Sequence, residues 1–385
     1  MSAKRKPIYL DYAASTPLDS RVLRAMQPYL KDNFGNPSSI HQFGQTARRA
    51  IDDARLKCID LLGAFSVHEI IFTGSGTESC NTAVFGAAFG RKKTEASPGH
   101  LIVSAIEHPA VLEPARYLRD NFGFELTEVL PDSNGLVHPE AVEAAIRPNT
   151  ILISVMLVNN EVGTIQPVKE IAKLARERGI FMHTDACQAP GFVDLNVEEL
   201  GVDLLSLNGS KIYGPKGIGL LYIREGVKIT PHIFGGGQEF RMRGGTENAA
   251  LIVGFAKALE LVLKDAEKEA ARLGKLRDTL MRELLRIPSV SVNGSLTERT
   301  KNNINLHVPG FSGETLVMRL DLEGLAASSG SACSSGKTEP SHVLLAMGQD
   351  KSRALESLRL TLGRQTTLTE IKKAAKILAD ILKLS

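Results

Sequence analysis

The sequence lacks the features of a membrane-bound or secreted protein. None of its apolar runs approaches the length that a helix needs to cross a lipid bilayer. The basic N-terminal stretch, Met1 to Lys6, has no apolar segment of the kind found in signal peptides. The 46 lysines and arginines nearly balance the 43 aspartates and glutamates, so the net charge does not indicate a surface for nucleic acid or a membrane. We therefore expect a cytoplasmic protein that binds neither nucleic acid nor a membrane.

Cysteine is also scarce. The four cysteines form no CxxC pair and no spacing typical of zinc, so we expect reduced thiols and no resident metal. Cys58 lies in a predicted helix and is expected to be an inert core thiol. Cys333 differs, because small residues surround it in the stretch ASSGSACSSGK. Buried cysteines usually have bulky apolar neighbours, so Cys333 is a candidate nucleophile.

The order of predicted elements indicates an α/β fold. Helical segments separate predicted strands at Glu69–Thr73, His100–Ala105, Glu125–Leu130, Thr150–Val158 and Ile180–Thr184. This alternation is typical of a mostly parallel, doubly wound sheet. With 385 residues, of which 43% are hydrophobic, the chain can form one large or two medium domains.

Three parts of the chain are predicted. Residues 21–250 form the large domain, and residues 251–385 form a linking helix and a smaller α+β domain that carries the cysteine segment. Residues 1–20 are an N-terminal segment that packs with the small domain. A long helical region from Thr246 to about Arg286 connects the two domains.

Polar residues follow the predicted strands of the large domain. They are Thr73 and Thr77, Glu107 and His108, Asn159 to Glu161, Asp185 and Gln188, and finally Lys211. Each residue alone is compatible with an ordinary loop. Parallel strands bring their carboxyl ends to one edge of the sheet, so the sequence predicts a shared ligand site there.

Lys211 is the centre of this predicted site. It follows the apolar run Asp203–Leu207 and precedes a second strand-like run, in the segment NGSKIYGPKG. A poorly hydrated lysine has a lowered pKa and suits imine chemistry with pyridoxal phosphate (PLP). A solvent-facing loop lysine is the alternative. The turn GSGTES after an earlier strand favours a phosphate, although the full GxGxxG of dinucleotide sites is absent. Arg359, in a predicted strand, suits either a carboxylate clamp or a surface ion pair.

Taken together, these motifs resemble the cysteine desulfurases of the class V aminotransferase group, which have PLP fold type I. The resemblance runs from Tyr9 to about Leu382. Its motifs are YLDYAAST, FGNPSS, TGSGTES, EHPAVL, VNNEVG, HTDACQ, GSKIYGPKG, GGGQE, MRGGTEN and SSGSACSSG, in the family's order. The cysteine segment resembles the subgroup with a long loop, which serves iron–sulfur cluster assembly and tRNA thiolation.

The resemblance implies a set of cofactor contacts. Lys211 would hold PLP covalently, Asp185 would pair with the ring nitrogen, and His108 would stack on the ring and move protons. The ring oxygen would be bound by Gln188 and Asn160. The phosphate would be held by Gly76, Thr77, Asn208 and Ser210, with Thr246 reaching the phosphate of the partner subunit in a homodimer.

The resemblance also implies the reaction. L-cysteine, bound through Asn160 and Arg359, would become L-alanine, and Cys333 would receive the sulfur as a persulfide. An iron–sulfur scaffold or another sulfur acceptor would then take the sulfur, and Cys333 could transiently ligate a cluster. Selenocysteine lyase, class V aminotransferase and a weakly active partner-binding paralogue are the alternatives. The chain has Ser210 where the family usually has histidine and Asn208 where it usually has serine, and both can donate to a phosphate.

Overall fold

The computed structural model describes residues 7–91, 98–329 and 339–383. Cys333 lies outside these ranges. The strands are β1 (Ile8–Tyr9), β2 (Ile70–Thr73), β3 (His100–Ser104), β4 (Glu125–Val129), β5 (Thr150–Ser154), β6 (Phe181–Asp185), β7 (Leu204–Asn208), β8 (Gly219–Ile223), β9 (Ser291–Val292), β10 (Asn303–His307), β11 (Leu325–Ala326) and β12 (Ser357–Thr361).

The helices of the described residues are also numbered in chain order. They are α1 (Ser20–Lys31), α2 (Gln42–Leu62), α3 (Gly76–Arg91), α4 (Pro109–Phe122), α5 (Pro139–Ala145), α6 (Val168–Glu177), α7 (Val197–Leu200), α8 (Ala249–Lys264), α9 (Ala266–Leu284), α10 (Gly313–Leu322), α11 (His342–Ala346), α12 (Lys351–Leu355) and α13 (Leu368–Lys383).

The central sheet of the described residues has seven strands in the order β2-β8-β7-β6-β5-β3-β4. β8 runs antiparallel to β7 and β2, and the remaining pairs are parallel. Successive residues of a strand pack on opposite faces. Ile102 joins a hydrophobic cluster with α2 and α8, whereas Leu101 and Val103 join one with α3 and α4. Helices thus cover both faces, which confirms the predicted α/β fold and explains the continuous apolar strands.

A second, smaller group of strands lies beside the central sheet. β12, β10 and β9 form an antiparallel sheet, and β1 pairs in parallel with β11. A third hydrophobic cluster joins Ile8 and Leu10 to the apolar faces of α9, α10 and α13. The N-terminal segment therefore packs with C-terminal elements, while the domain limits drawn from the sequence stay predictions.

Two elements differ from the sequence prediction. The long helical region breaks at Asp265, because α8 packs in the cluster of the central sheet and α9 packs in the third cluster. One straight helix cannot serve both cores. β5 ends at Ser154 and not at Val158, because the N–H of Met156 donates to the carboxylate of Glu107 (2.5 Å).

The described residues contain neither a helix suited to a bilayer nor a cluster of metal ligands. None of their helices combines the length and the apolar character that a bilayer crossing requires. Their histidine, cysteine, aspartate and glutamate side chains form no group of three or more that could hold a metal ion.

Candidate active site

A cavity of about 840 Å³ opens at the carboxyl ends of β3, β5, β6 and β7. Ligands of doubly wound sheets bind at this edge. Of the predicted site residues, the cavity wall brings together Gly76, Thr77, His108, Asn160, Asp185, Gln188, Asn208, Lys211 and Arg359. Ser210 and Thr246 are described but lie outside this wall, and Cys333 lies outside the described residues.

Lys211 enters the cavity from a single 3-10 turn, Gly209–Lys211, directly after β7. Its Nζ donates to the carbonyl oxygens of Ala13 (2.8 Å) and Ala14 (2.6 Å). The amide of Gln188 donates to the same Ala13 carbonyl (2.9 Å). Burial lowers the pKa of the Lys211 amine below its ordinary value. The amine is therefore more often neutral, the form that acts as a nucleophile or a base.

Asp185 ends β6 and is buried, with 7% of its surface exposed. Its Oδ1 accepts the backbone N–H of Cys187 (2.9 Å), which fixes the direction of the carboxylate. Burial, and secondly the charge of Asp185, raise the pKa of the Cys187 and Cys80 thiols well above the ordinary value. These two thiols keep their protons and are poor nucleophiles. Burial likewise raises the pKa of Cys58 to about 12.

His108 caps α4 with its side chain. Its Nδ1 accepts the backbone N–H of Ala110 (3.1 Å), so the neutral ring carries its proton on Nε2. Burial lowers the pKa of the imidazole, which favours the neutral form. Near neutral pH the ring therefore offers an aromatic face and one N–H donor.

The N-terminus of α3 forms part of the cavity wall. Gly76 and Thr77 are the first residues of this 16-residue helix, where backbone N–H groups have no intrahelical partner. A Cβ on Gly76 would lie 2.8 Å from Cys187 Sγ and 2.9 Å from Asn208 Cβ, so only glycine fits. Glu78 is the acid of this first turn, but Arg243 pairs with it (2.9 Å) and offsets its charge. The turn can therefore bind a phosphate.

Two hydrogen bonds join Asn208 and Ser210. The Oδ1 of Asn208 accepts the backbone N–H of Ser210 (3.0 Å) and the Ser210 hydroxyl (3.1 Å). This arrangement places the amide nitrogen of Asn208 beside Gly76, 3.3 Å from where a Cβ would stand. Asn208 thus has a donor near the helix N-terminus, whereas the Ser210 hydroxyl already donates to Asn208.

Arg359 lines the cavity from β12. Its guanidinium pairs with Asp11 (2.8 Å) and donates to the carbonyl of Asn160 (3.0 Å). The Nε atom is buried without a partner among the described residues. With its side chain only 8% exposed, Arg359 is a desolvated cation directed at the cavity, which strengthens its attraction for an anion.

Two residues near the cavity had no individual role predicted from the sequence, although Glu107 stood among the polar residues that follow the predicted strands. Glu107 accepts from the Ser104 hydroxyl (2.6 Å) and the N–H of Met156, and burial raises its pKa to about 8. Its position after β3 was the available signal. His342 lines the cavity from the first residue of α11, and no local sequence pattern indicated it.

Thr246 lines a different cavity, together with Arg243 and Glu247. Glu247 pairs with Arg48 (3.3 Å) from α2. Within one chain, Thr246 therefore does not join the cavity of Lys211, and its predicted role in a partner's site stays a prediction.

Comparison with known proteins gives similarities over nearly the whole chain. The family model described as aminotransferase class-V matches residues 8–374. The chain is 49% identical over 380 residues to the cysteine desulfurase IscS of Dictyoglomus turgidum, covering 98% of this chain and 95% of the relative. It is 46% identical over 383 residues to the cysteine desulfurase IscS of Methanosarcina thermophila, covering 100% and 94%.

Solved structures show the same likeness. A NifS-like protein superimposes with a TM-score of 0.91 at 35% identity, covering 98% of this chain and all of the other. A structure described as SspA in complex with cysteine superimposes with a TM-score of 0.81 at 40% identity, covering 92% of this chain and 98% of the other. These matches extend over the strands and helices that surround the cavity.

Proposed function

Because the chain belongs to the class V aminotransferase family and, within it, to the cysteine desulfurases, we propose that its cavity converts L-cysteine to L-alanine with transfer of the sulfur. Its fold is fold type I of PLP-dependent enzymes. The observation that carries the proposal is the convergence of a half-buried lysine with a buried carboxylate and a buried arginine in one cavity. The similar structure with bound cysteine supports L-cysteine as the substrate.

The donors of the cavity fit pyridoxal phosphate. Lys211 would hold its aldehyde carbon and Asp185 its ring nitrogen, and His108 would lie against the ring. The N–H groups of Gly76 and Thr77 would bind the phosphate, as would the amide of Asn208. When bound, the cofactor supplies an electron sink for negative charge at the substrate carbon.

The residues of the chain then orient the substrate and move its proton. Arg359 would bind the carboxylate of L-cysteine, because its guanidinium is desolvated and already held in place by Asp11 and Asn160. Lys211, whose pKa is lowered by burial, would accept the Cα proton as a free amine. The carbonyls of Ala13 and Ala14 offer that amine two acceptors when it is protonated.

We assign the sulfur-accepting thiol to Cys333. The other three cysteines support this assignment indirectly, because burial raises the pKa of each of their thiols. The small residues around Cys333 and the resemblance of its segment support it directly. We propose that the persulfide passes to an acceptor for iron–sulfur cluster assembly or tRNA thiolation, in the cytoplasm.

We also propose a homodimer in which Thr246 reaches the cofactor phosphate of the partner subunit. Thr246 lies away from the cavity of its own chain, as this role requires. Large apolar side chains near the start of α2 are exposed, with Phe34 at 74% and Ile40 at 91%, and a second copy of the chain would cover them.

The test is mass spectrometry of the PLP-loaded protein after incubation with L-cysteine. We expect alanine in solution and one added sulfur on the peptide that contains Cys333. Cys333→Ser should bind L-cysteine and release no sulfide. Full sulfide release by Cys333→Ser would refute the assignment, and transfer of the amino group to a keto acid would favour an aminotransferase.

A further inference from the structure

Two histidines line the cavity, and their hydrogen bonds leave different ring nitrogens free. His108 uses Nδ1 to accept the N–H of Ala110, so its free atom is the Nε2 that carries the proton. His342 uses Nε2 toward the carbonyl oxygen of Glu107 (2.9 Å). A carbonyl only accepts, so Nε2 of His342 must be the protonated atom, and its Nδ1 holds a lone pair.

This difference decides which ring can take up a proton. The lone pair of His108 points at a helix N–H, and its free atom can only donate. The Nδ1 of His342 makes no hydrogen bond to any described residue, although the ring lines the cavity. Of the two rings, His342 is the one with a basic nitrogen available to a substrate.

We propose that His342 accepts the proton of the substrate thiol during sulfur transfer. The proposal rests on the proposed function and adds a residue to it. The attacking thiolate forms an S–S bond with the sulfur of L-cysteine, and the C–S bond breaks with its electron pair passing to carbon. The S–H proton moves to Nδ1 of His342. The attacking sulfur is oxidised and the carbon is reduced, so no outside oxidant is needed.

The hydrogen bond from Nε2 of His342 to the carbonyl of Glu107 would hold the ring in one orientation during this step. The bond joins the His342 ring to the backbone of Glu107, 235 positions away in the sequence, which immediately precedes His108. A protonated His342 keeps the Nε2–H bond, and the ring need not rotate when its charge changes. Proton transfer without rotation is an advantage in a general base.

Charged and titratable groups from several elements face His342. His342 interacts electrostatically with His108, with Glu128 on β4 and with Glu161 after β5. Burial raises the pKa of Glu161, and Arg116 lowers that of Glu128. Other charged or titratable side chains on the cavity wall are Glu113, Arg116, Asp185, Lys211, Glu339 and Arg359. Glu107, whose pKa burial raises to about 8, lies next to the ring and is mostly neutral at pH 7.

Replacing His342 by glutamine separates two roles of the ring, which are the hydrogen bond that Nε2 donates to Glu107 and the proton that Nδ1 would accept. The amide N–H of glutamine can replace the Nε2 donor toward Glu107, but it has no basic nitrogen. In the PLP-loaded enzyme, His342→Gln should lower kcat/KM for L-cysteine by about a hundredfold at neutral pH, the scale of one general base. It should also remove one ionisation from the acidic limb of the pH profile. His342→Phe should be at least as impaired.

Control variants distinguish a purely structural role of His342 from a failure of the proposed function. His138→Gln changes an exposed histidine that pairs with Asp132 (3.1 Å) and should behave as wild type. If His342→Gln keeps the wild-type rate and pH profile while His342→Phe is impaired, the ring only positions Glu107 and the proposal is wrong. A wild-type enzyme that forms no alanine would instead defeat the proposed function.

A second measurement does not depend on turnover. Ring ¹⁵N shifts of His342 in the protein without substrate should show a protonated Nε2 and an unprotonated Nδ1. The opposite tautomer at neutral pH would overturn the proposal, because the available nitrogen would then be a donor.

Discussion

Replacing Asn208 by aspartate tests whether its amide nitrogen binds the phosphate of the cofactor. Aspartate keeps an oxygen that can accept the backbone N–H and the hydroxyl of Ser210, as Oδ1 of Asn208 does now (3.0 and 3.1 Å). The turn before Lys211 should therefore fold normally. The second oxygen, however, replaces the Nδ2 donor beside Gly76 by a negatively charged acceptor.

The expected loss follows from these two changes. A hydrogen bond to a charged group contributes ~1.5–3 kcal/mol. Repulsion between the new carboxylate and the phosphate adds on the order of 1 kcal/mol near a partly solvated site. Together they predict a PLP dissociation constant that rises by a factor on the order of a hundred or more.

The assay is titration of the apo-protein with PLP, followed by the absorbance of the bound cofactor. Ser210→Ala is the matched control, since it removes one neutral donor to Asn208 and should raise the dissociation constant by only about fivefold. Thermal unfolding of the apo-proteins should show similar midpoints for wild type and Asn208→Asp. Wild-type affinity in Asn208→Asp, or a larger loss in Ser210→Ala, would refute the reasoning.

Three further outcomes are expected. Lys211→Ala should fold but hold no PLP covalently, and borohydride reduction of the wild type should label Lys211; a label on Lys216 would contradict the assignment. Arg359→Ala should raise the KM for L-cysteine about thirtyfold, since a charge-assisted clamp contributes on the order of 2 kcal/mol, and an unchanged KM would place the carboxylate elsewhere. Glu107→Gln should become more stable than wild type as pH rises. The folded-state pKa of Glu107 is raised from 4.5 to about 8, so the wild type loses stability across that range; the same pH dependence of unfolding in both proteins would contradict this prediction.

Much of this protein follows from local sequence patterns. The alternation of strands and helices predicted the parallel sheet. The apolar periodicities of helices and of strands, on which that prediction depends, are properties of a few consecutive residues. The polar residues after successive strands, such as His108, Asp185 and Lys211, predicted a shared ligand site. These three residues line one cavity because parallel strands end at one edge of the sheet, and the role of that cavity as a ligand site stays a prediction.

Other features depend on contacts between residues far apart in the sequence. The pairing of Arg359 with Asp11 joins positions 348 residues apart, and the contact of His342 with Glu107 joins positions 235 apart. The break at Asp265 separates α8, which packs in the cluster of the central sheet, from α9, which packs in the third cluster. Local propensity and periodicity carry no information about such partners. The free nitrogen of His108 follows from a local contact, because the N–H of Ala110, two residues along, occupies Nδ1 at the start of α4. The free nitrogen of His342 was decided only by tertiary packing, which brought the carbonyl of Glu107 to the ring from a distant part of the sequence.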